Sequence, residues 1–224
     1  MSSRRPRHAR LQFYSEQMLT VYFDFLCPYA WRGVELLSSL NLEFQPVHYS
    51  LVQGNHDDNK GLPRAEPSWK LVEQPLETEN TYQHESLLAF IASHAASQQG
   101  SALHLAFILE LFRLRHRDSR TLDPATILAA AGNAQLDLKR FAADQSNETA
   151  RRADLKSDLE RAGQLGVFGT PTIQFDDGAG AYFRFAKLPE GRSARVEAWT
   201  LFQDVMNSGA VIETIKRAKP GTKA

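Results

Sequence analysis

The chain is short of cysteine, of net charge and of long apolar runs, and each shortage excludes a class of protein. A single cysteine, Cys27, excludes an internal disulfide and a cysteine-rich zinc site. Lysine plus arginine equals aspartate plus glutamate at 26 each, so neither nucleic acid nor an anionic membrane is a natural partner. No apolar run approaches the roughly 20 residues of a membrane span.

The N-terminal segment 1–17 is predicted to be a flexible tail rather than a secretory signal. Its first ten residues are basic, but polar side chains at Gln12, Ser15 and Glu16 interrupt any apolar core after them. We therefore expect a cytoplasmic protein in a reducing compartment. The length of 224 residues suits one α/β domain that carries an insertion.

Cys27 is predicted to lie where a thiol would be reactive. The run 19–26 is apolar, β-branched and aromatic, and is typical of a buried strand. Apolar positions between 31 and 40 indicate a helix, whose first turn accommodates Pro28. At that helix N-terminus, free N–H groups and the macrodipole favour a thiolate. A lone cysteine is also commonly a small buried hydrophobe, so this placement alone leaves both roles open.

A second informative segment is 166–175. Two glycines, Gly166 and Gly169, flank a turn, and Thr170-Pro171 then leads directly into an apolar strand. Proline is compatible with the first residue of a strand, and such a turn can hold a cis peptide bond.

Together the two segments resemble the DsbA-like thioredoxin superfamily, in the branch near kappa-class glutathione transferases and 2-hydroxychromene-2-carboxylate isomerases. Residues 21–33 resemble that branch's strand, aspartate and Ser/Cys-Pro-Tyr motif, and 166–172 resembles its cis-proline loop. The similarity covers 19–206. It implies an α/β, thioredoxin-like fold in which the proline loop lies against Cys27.

The predicted organisation is a thioredoxin-like domain, 18–80 and 166–218, interrupted by an inserted helical subdomain, 81–165. The all-helical insertion separates a β-α-β half from a β-hairpin-α half. The predicted elements are strands at 42–49, 173–176 and 181–185; a long loop at 50–80 with one helical turn near 69–72; helices at 84–99, 103–115, 124–132, 137–142 and 148–164; and a last helix capped by Ser193.

The resemblance implies a set of site residues around Cys27. In a dithiol oxidant the resolving position would be a second cysteine, but here it is Ala30, so that cycle cannot close within the chain. Thr170 and Pro171 would pair with the backbone of a peptide-like ligand. The remaining implied contacts are an apolar wall at Pro28, Tyr29 and Trp31, and glutathione carboxylate contacts at Asn55, Lys70 and Ser193.

Three functions remain open, in this order. The first is a monothiol thiol-disulfide oxidoreductase in which Cys27 reacts with glutathione-type or protein mixed disulfides. The second is a glutathione-dependent transferase or isomerase in which Cys27 activates a bound thiol, and the third is a non-catalytic thioredoxin-like binding module. Glutathione or another small thiol is the expected co-substrate, and no metal is expected. His48, His94 and His104 are predicted to be structural, and both a monomer and a homodimer stay open.

Overall fold

The computed structural model describes residues 18–215, so the predicted tail at 1–17 and the residues after 215 lie outside the described chain. Strand β1 (Leu19–Phe23), helix α1 (Pro28–Ser39) and strand β2 (Phe44–His48) form the first half. Strands β3 (Thr172–Gln174) and β4 (Gly180–Tyr182) and helix α8 (Gly191–Met206) form the second.

One sheet of four strands joins the two halves in the order β2-β1-β3-β4. β1 runs parallel to β2 and antiparallel to β3, and β3 and β4 form an antiparallel hairpin. The central strand β1 is buried along its whole length, as its apolar sequence predicts. This mixed α/β arrangement is the predicted fold class.

β1 is shorter than the predicted strand 19–26, because Asp24 turns the chain. Its carboxylate accepts a hydrogen bond from Leu26 N at 2.8 Å, and its carbonyl accepts one from Cys27 N at 3.0 Å. These two bonds replace strand pairing with a tight turn. The turn delivers Cys27 to the start of α1.

Five helices between β2 and β3 make the central block. They are α3 (Thr81–Ser97), α4 (Ser101–His116), α5 (Pro124–Asn133), α6 (Leu138–Ser146) and α7 (Glu148–Leu165). The predicted caps are confirmed at Asp123 and Asp137, whose side chains accept from Thr126 N and Arg140 N. Gly166 ends α7 in the left-handed conformation, at φ 76°.

The segment 50–80 is more ordered than the predicted loop. It contains the short helix α2 (Leu51–Gly54) and two 3-10 turns, Asp57–Asn59 and Leu71–Glu73. The buried Asn59 amide donates to the carbonyls of Gln53 and Trp69 and accepts from Trp69 N. The Asn59 side chain thereby holds together a segment whose ordered structure the sequence periodicity does not predict.

The prediction that Ser193 caps the last helix is wrong. The cap of α8 is Glu190, three positions earlier. Gly191 makes this earlier start sterically accessible, because its φ of 74° is a conformation that glycine adopts without strain.

The apolar core runs from the sheet into the helical block without a break. Phe23 and Phe25 from β1 and its turn pack against Phe112 of α4, with ring centroids 5.6 and 5.0 Å away. The helical block therefore supports the Cys27 turn directly. In the described part of the chain, no helix is long and apolar enough to cross a membrane.

Candidate active site

Cys27 is the N-cap residue of α1, and Pro28 occupies the first helical position, as the sequence predicts. The thiol is 6% exposed. Within the described chain, its sulfur accepts no capping hydrogen bond from the helix N–H groups. Instead, Cys27 Sγ–H donates to the carbonyl oxygen of Thr170 at 3.3 Å. The thiol is thus held by the proline loop rather than by the helix that it begins.

The loop beneath the thiol packs tightly on α1. The Thr170-Pro171 peptide bond is cis. Gly33 faces the proline ring so closely that a Cβ atom at this position would lie 2.7 Å from Pro171 Cγ. The Pro171 carbonyl accepts from Phe183 N at 3.1 Å, which ties the loop to the chain after β4. Thr170 and Pro171 therefore lie where the resemblance implies, and both are buried.

Two tyrosine rings near the Cys27 turn carry two guanidinium groups. The Tyr29 ring has Arg32 5.4 Å and Arg184 4.8 Å from its centroid, and Arg184 also lies 5.5 Å from the ring of Tyr182. Burial raises the pKa of Tyr182; Arg184 opposes the rise and Cys27 adds to it. Phe168, 61% exposed, packs edge-on against Tyr182. Within 18–215, neither arginine forms an ion pair with a carboxylate.

Trp31 lies on the helical-block side of α1. Its ring stacks on His116 at 5.7 Å between centroids, and its Nε1 donates to Glu35 at 3.3 Å. The His116 ring in turn contacts the Phe25 carbonyl at 2.8 Å. Trp31 therefore fixes α1 against α4 on the side where the Cys27 turn begins.

The residues predicted to hold glutathione carboxylates do not converge on Cys27. Asn55 is exposed at the end of α2. Lys70 pairs with Glu73 at 3.4 Å and lines a groove of about 250 Å³ between its loop and α7, whose described lining includes neither Cys27 nor Thr170. Ser193 lies in the first turn of α8, where neighbouring Arg192 donates to Ser39 O. Ser39 is the last residue of α1, so this turn lies near the end of α1 opposite Cys27.

Asp24 is a buried carboxyl group directly beneath the Cys27 turn. Besides Leu26 N, it accepts from Leu51 N at 2.7 Å, which joins the turn to the start of α2. Burial raises its pKa to about 6, although both hydrogen bonds lower it. The protonation of this group is therefore linked to the geometry of the turn.

A second polar cluster, which sequence reasoning missed, lies in the interior between β2, α3 and α7. His48 Nδ1 lies 2.6 Å from Asp158 Oδ2, and His94 Nε2 lies 3.3 Å from the same oxygen. Ser93 Oγ bridges His48 Nε2 and His104 Nε2, at 2.9 Å each. No sequence motif marks this set, because its members come from four elements, β2, α3, α4 and α7, that only packing brings together.

The cluster has the order of a serine-histidine-aspartate triad but not its accessibility. Ser93, His48 and Asp158 are hydrogen-bonded in sequence. Ser93 is 0% and His48 1% exposed, so a substrate cannot reach the hydroxyl. Burial lowers the pKa of His48 to about 4, and the pKa of His104 to about 3, so both rings are neutral at pH 7.

Comparison with known proteins gives a family model and several similar folds. The model of the DSBA-like thioredoxin domain matches residues 18–188. No curated protein sequence gives a significant match.

Among solved structures, the 2-hydroxychromene-2-carboxylate isomerase is similar with a TM-score of 0.57 and 16% identity, covering 83% of this chain and 93% of the other. The cytosolic disulfide reductase DsbM from Pseudomonas aeruginosa gives a TM-score of 0.52 and 17% identity, covering 83% and 99%. MdbA, a thiol-disulfide oxidoreductase from Corynebacterium diphtheriae, gives 0.51 and 11%, covering 82% of each chain. At these identities the likeness establishes the fold.

Proposed function

Since the chain belongs to the DSBA-like thioredoxin domain family, we propose that it is a thiol-disulfide oxidoreductase of the monothiol type, in which Cys27 reacts with glutathione-type or protein mixed disulfides. The observation that carries the proposal is the contact of Cys27 Sγ with the Thr170 carbonyl at the N-terminus of α1. It places the one thiol of the chain between a helix N-terminus and a backbone acceptor.

The carbonyl of Thr170 has two uses in this scheme. In the resting state it accepts a hydrogen bond from the Cys27 thiol. When Cys27 loses its proton, the carbonyl is released and can accept an N–H from the backbone of a bound ligand. Deprotonation thus creates the nucleophile and frees a binding group together.

The reaction is a thiol-disulfide exchange with no net change in electrons. The Cys27 thiolate attacks one sulfur of the substrate disulfide, a new S–S bond forms to Cys27, and the second substrate sulfur leaves as a thiolate that solvent protonates. A second thiolate then attacks the mixed disulfide and releases Cys27. Since Ala30 occupies the resolving position, this second thiol must come from outside the chain.

We propose glutathione or another low-molecular-weight thiol for that role. A chain with one cysteine stores no internal disulfide, which suits a reducing compartment such as the cytoplasm. Arg32 and Arg184, both close to the Tyr29 ring, add a preference for a substrate with carboxylates. They take the role that the sequence resemblance gives to Asn55, Lys70 and Ser193.

The first test is intact mass after exposure to oxidised glutathione. We expect one glutathione adduct on the wild-type protein, removed by reduced thiols, and no adduct on Cys27→Ser. Because the chain has one cysteine, a disulfide adduct can form only at Cys27. An unmodified wild-type protein under conditions where its unfolded form reacts would refute the oxidoreductase proposal.

The second test asks whether the arginines select for negative charge. Cys27 is alkylated with anionic iodoacetate and with neutral iodoacetamide, and the ratio of the two rates is compared between variants. Arg184→Gln should lower that ratio by about 2- to 5-fold, the effect of one exposed charge. Lys187→Gln, at an exposed position outside the ring contacts, should leave it unchanged. An equal ratio in all three proteins would remove Arg184 from the proposal.

The transferase or isomerase function has one observation in its favour. Cys27 is buried and already acts as a hydrogen-bond donor, and the same donor could serve the thiolate of bound glutathione. If glutathione binding and turnover survive in Cys27→Ser, this second function replaces the first. An inert thiol with no binding of small thiols would leave a binding module.

A further inference from the structure

We propose that His48, His94 and Asp158 form a binding site for one divalent transition-metal ion of the zinc class. The ligand atoms are His48 Nδ1, His94 Nε2 and Asp158 Oδ2, which lie within 4.8 Å of one another. Two imidazoles and one carboxylate leave a fourth position for water. The site is separate from Cys27 and does not depend on the proposed exchange reaction.

One of the three ligand–ligand distances already has the value that a zinc ion requires, and the others must adjust on binding. Two ligands of one tetrahedral zinc ion lie roughly 3.3 Å apart, given bonds of about 2.0 Å. The 3.3 Å between His94 Nε2 and Asp158 Oδ2 already has this value. The 2.6 Å between His48 Nδ1 and the same oxygen is a hydrogen bond, and must open by roughly 0.7 Å to admit the ion. Small side-chain rotations provide such a movement.

The charge of the cluster favours a cation. Within the described residues, Asp158 forms ion pairs with histidines and with neither lysine nor arginine. The side chain of Asp158 is 19% exposed and lies against two imidazoles instead of a fixed positive charge. A largely buried negative charge without a full positive partner is costly, and a bound divalent ion would remove that cost.

His94 offers a ligand atom that is otherwise unused. Its Nε2 is buried and has no hydrogen-bond partner in the range 18–215, although Asp158 Oδ2 lies 3.3 Å away. The ring is tilted toward His48 at 4.4 Å between centroids. Buried polar atoms in folded proteins are nearly always satisfied. Metal coordination would satisfy this one.

The surrounding hydrogen bonds can support a metal-bound His48. Without metal, His104 Nε2–H can donate to Ser93, Ser93 to His48 Nε2, and His48 Nδ1–H to Asp158. With metal on Nδ1, His48 carries its proton on Nε2 and donates to Ser93, whose hydroxyl donates to His104. The direction of the bonds reverses while the contacts His48–Ser93 and Ser93–His104 are kept, which is the support that metal-ligating histidines normally have.

An ion has a path to the site from the side of α7. The side chains of Asp158 and His94 are 19% and 11% exposed, whereas that of His48 is 1% exposed. The carboxylate can therefore capture the ion first and pass it inward. Binding would connect β2, α3 and α7 through a single atom.

The test measures metal binding by the metal-free full-length chain in the Cys27→Ser background, so that the thiol cannot take part. We expect one Zn²⁺ per chain by titration calorimetry. The thermal midpoint should rise by about 5–10 °C at a metal concentration 100-fold above Kd. His94→Gln and Asp158→Asn should each weaken binding by at least about 10-fold. His84→Gln, on the same helix, should bind as tightly as its parent.

A wild-type measurement covers the case in which a variant fails to fold. X-ray absorption at the zinc edge should show nitrogen and oxygen ligands with two imidazoles and no sulfur. Sulfur ligation, the absence of saturable binding, or binding that both variants retain would overturn the proposal.

Discussion

Gly33 shows how one missing side chain shapes the candidate active site. It lies inside α1, where glycine normally weakens a helix by about 1 kcal/mol relative to alanine. Its Cα faces the ring of Pro171, and any Cβ would overlap that ring. The close approach of α1 to the proline loop is what brings the Thr170 carbonyl to Cys27.

Gly33→Ala is therefore expected to destabilise the protein by about 1–2 kcal/mol, because overpacking outweighs the gain in helix propensity. It should also change the rate of Cys27 alkylation, since Thr170 is displaced with Pro171. The measurements are urea denaturation and iodoacetamide kinetics.

Gly132→Ala is the matched control, in α5, where the structure places no described atom outside the local backbone within 4 Å of the added Cβ. It should be neutral or stabilising by up to about 1 kcal/mol and leave alkylation unchanged. Equal effects at both glycines would show that the contact with Pro171 has no role.

At the scale of elements, one ion pair fixes the helix that carries Cys27. Arg113 of α4 forms a bidentate pair with Glu35 of α1, at 2.7 and 3.1 Å, and a third bond to Glu110 at 2.8 Å. The hydrogen bonds that Arg113 donates to Glu35 raise the pKa of Arg113, so its guanidinium group stays charged. Glu35 also accepts a hydrogen bond from Trp31 Nε1, so one carboxylate of α1 holds both the Trp31 side chain and Arg113 of α4.

Glu35→Gln should lower the free energy of unfolding by about 1 kcal/mol, because it removes the charge from a half-buried bidentate pair. Glu160→Gln breaks an exposed pair with Lys156 at 3.8 Å on α7 and should cost less than about 0.5 kcal/mol. Chemical denaturation of both variants at low and high salt measures the difference. A cost at Glu35 no larger than at Glu160 would mean that the pair does not hold α1.

At the scale of the whole molecule, four buried or largely buried groups set the pH dependence of stability between pH 6 and 4. His48, His104 and His116 have pKa values lowered to about 4, 3 and 4, caused first by burial, so their stabilising effect is complete above about pH 6.5 and is lost as the pH falls. Asp24 has a pKa raised to about 6 by burial, so it contributes in the opposite direction as the pH falls below 6.

Between pH 6 and 4 the unfolded chain holds about three more protons on the histidines, and the native state about one more on Asp24. The net difference of about two protons predicts that stability falls by up to about 2.7 kcal/mol per pH unit on acidification. Asp24→Asn removes the opposing group and should steepen that slope by about half. Urea denaturation at several pH values, with a chelator present, measures both. Stability that rises toward pH 4 in the wild-type protein would contradict this assignment.

Local sequence determined the elements around Cys27 because their signals lie within a few neighbouring residues. The β-branched strand, Pro28 at the first helical position and the caps at Asp123 and Asp137 are all confirmed. The sequence also predicted that the segment of Thr170 belongs beside the thiol. The end of β1 and the start of α8 differ from the prediction, because the Asp24 side chain forms a turn and Gly191 adopts a positive φ that lets the helix begin earlier.

Tertiary structure alone decided which polar groups meet. Lys70 and Ser193 lie on other surfaces. Arg32 and Arg184, far apart in sequence, lie 5.4 and 4.8 Å from the centroid of the same ring, that of Tyr29. The cluster of His48, His94 and Asp158 forms because β2, α3 and α7 bury their polar positions against one another. Side-chain type fixes what a group can do. The packing of the elements decides which partner the group meets and how deeply it is buried. These two conditions set its pKa and the ligands it can bind, and the local sequence does not specify them.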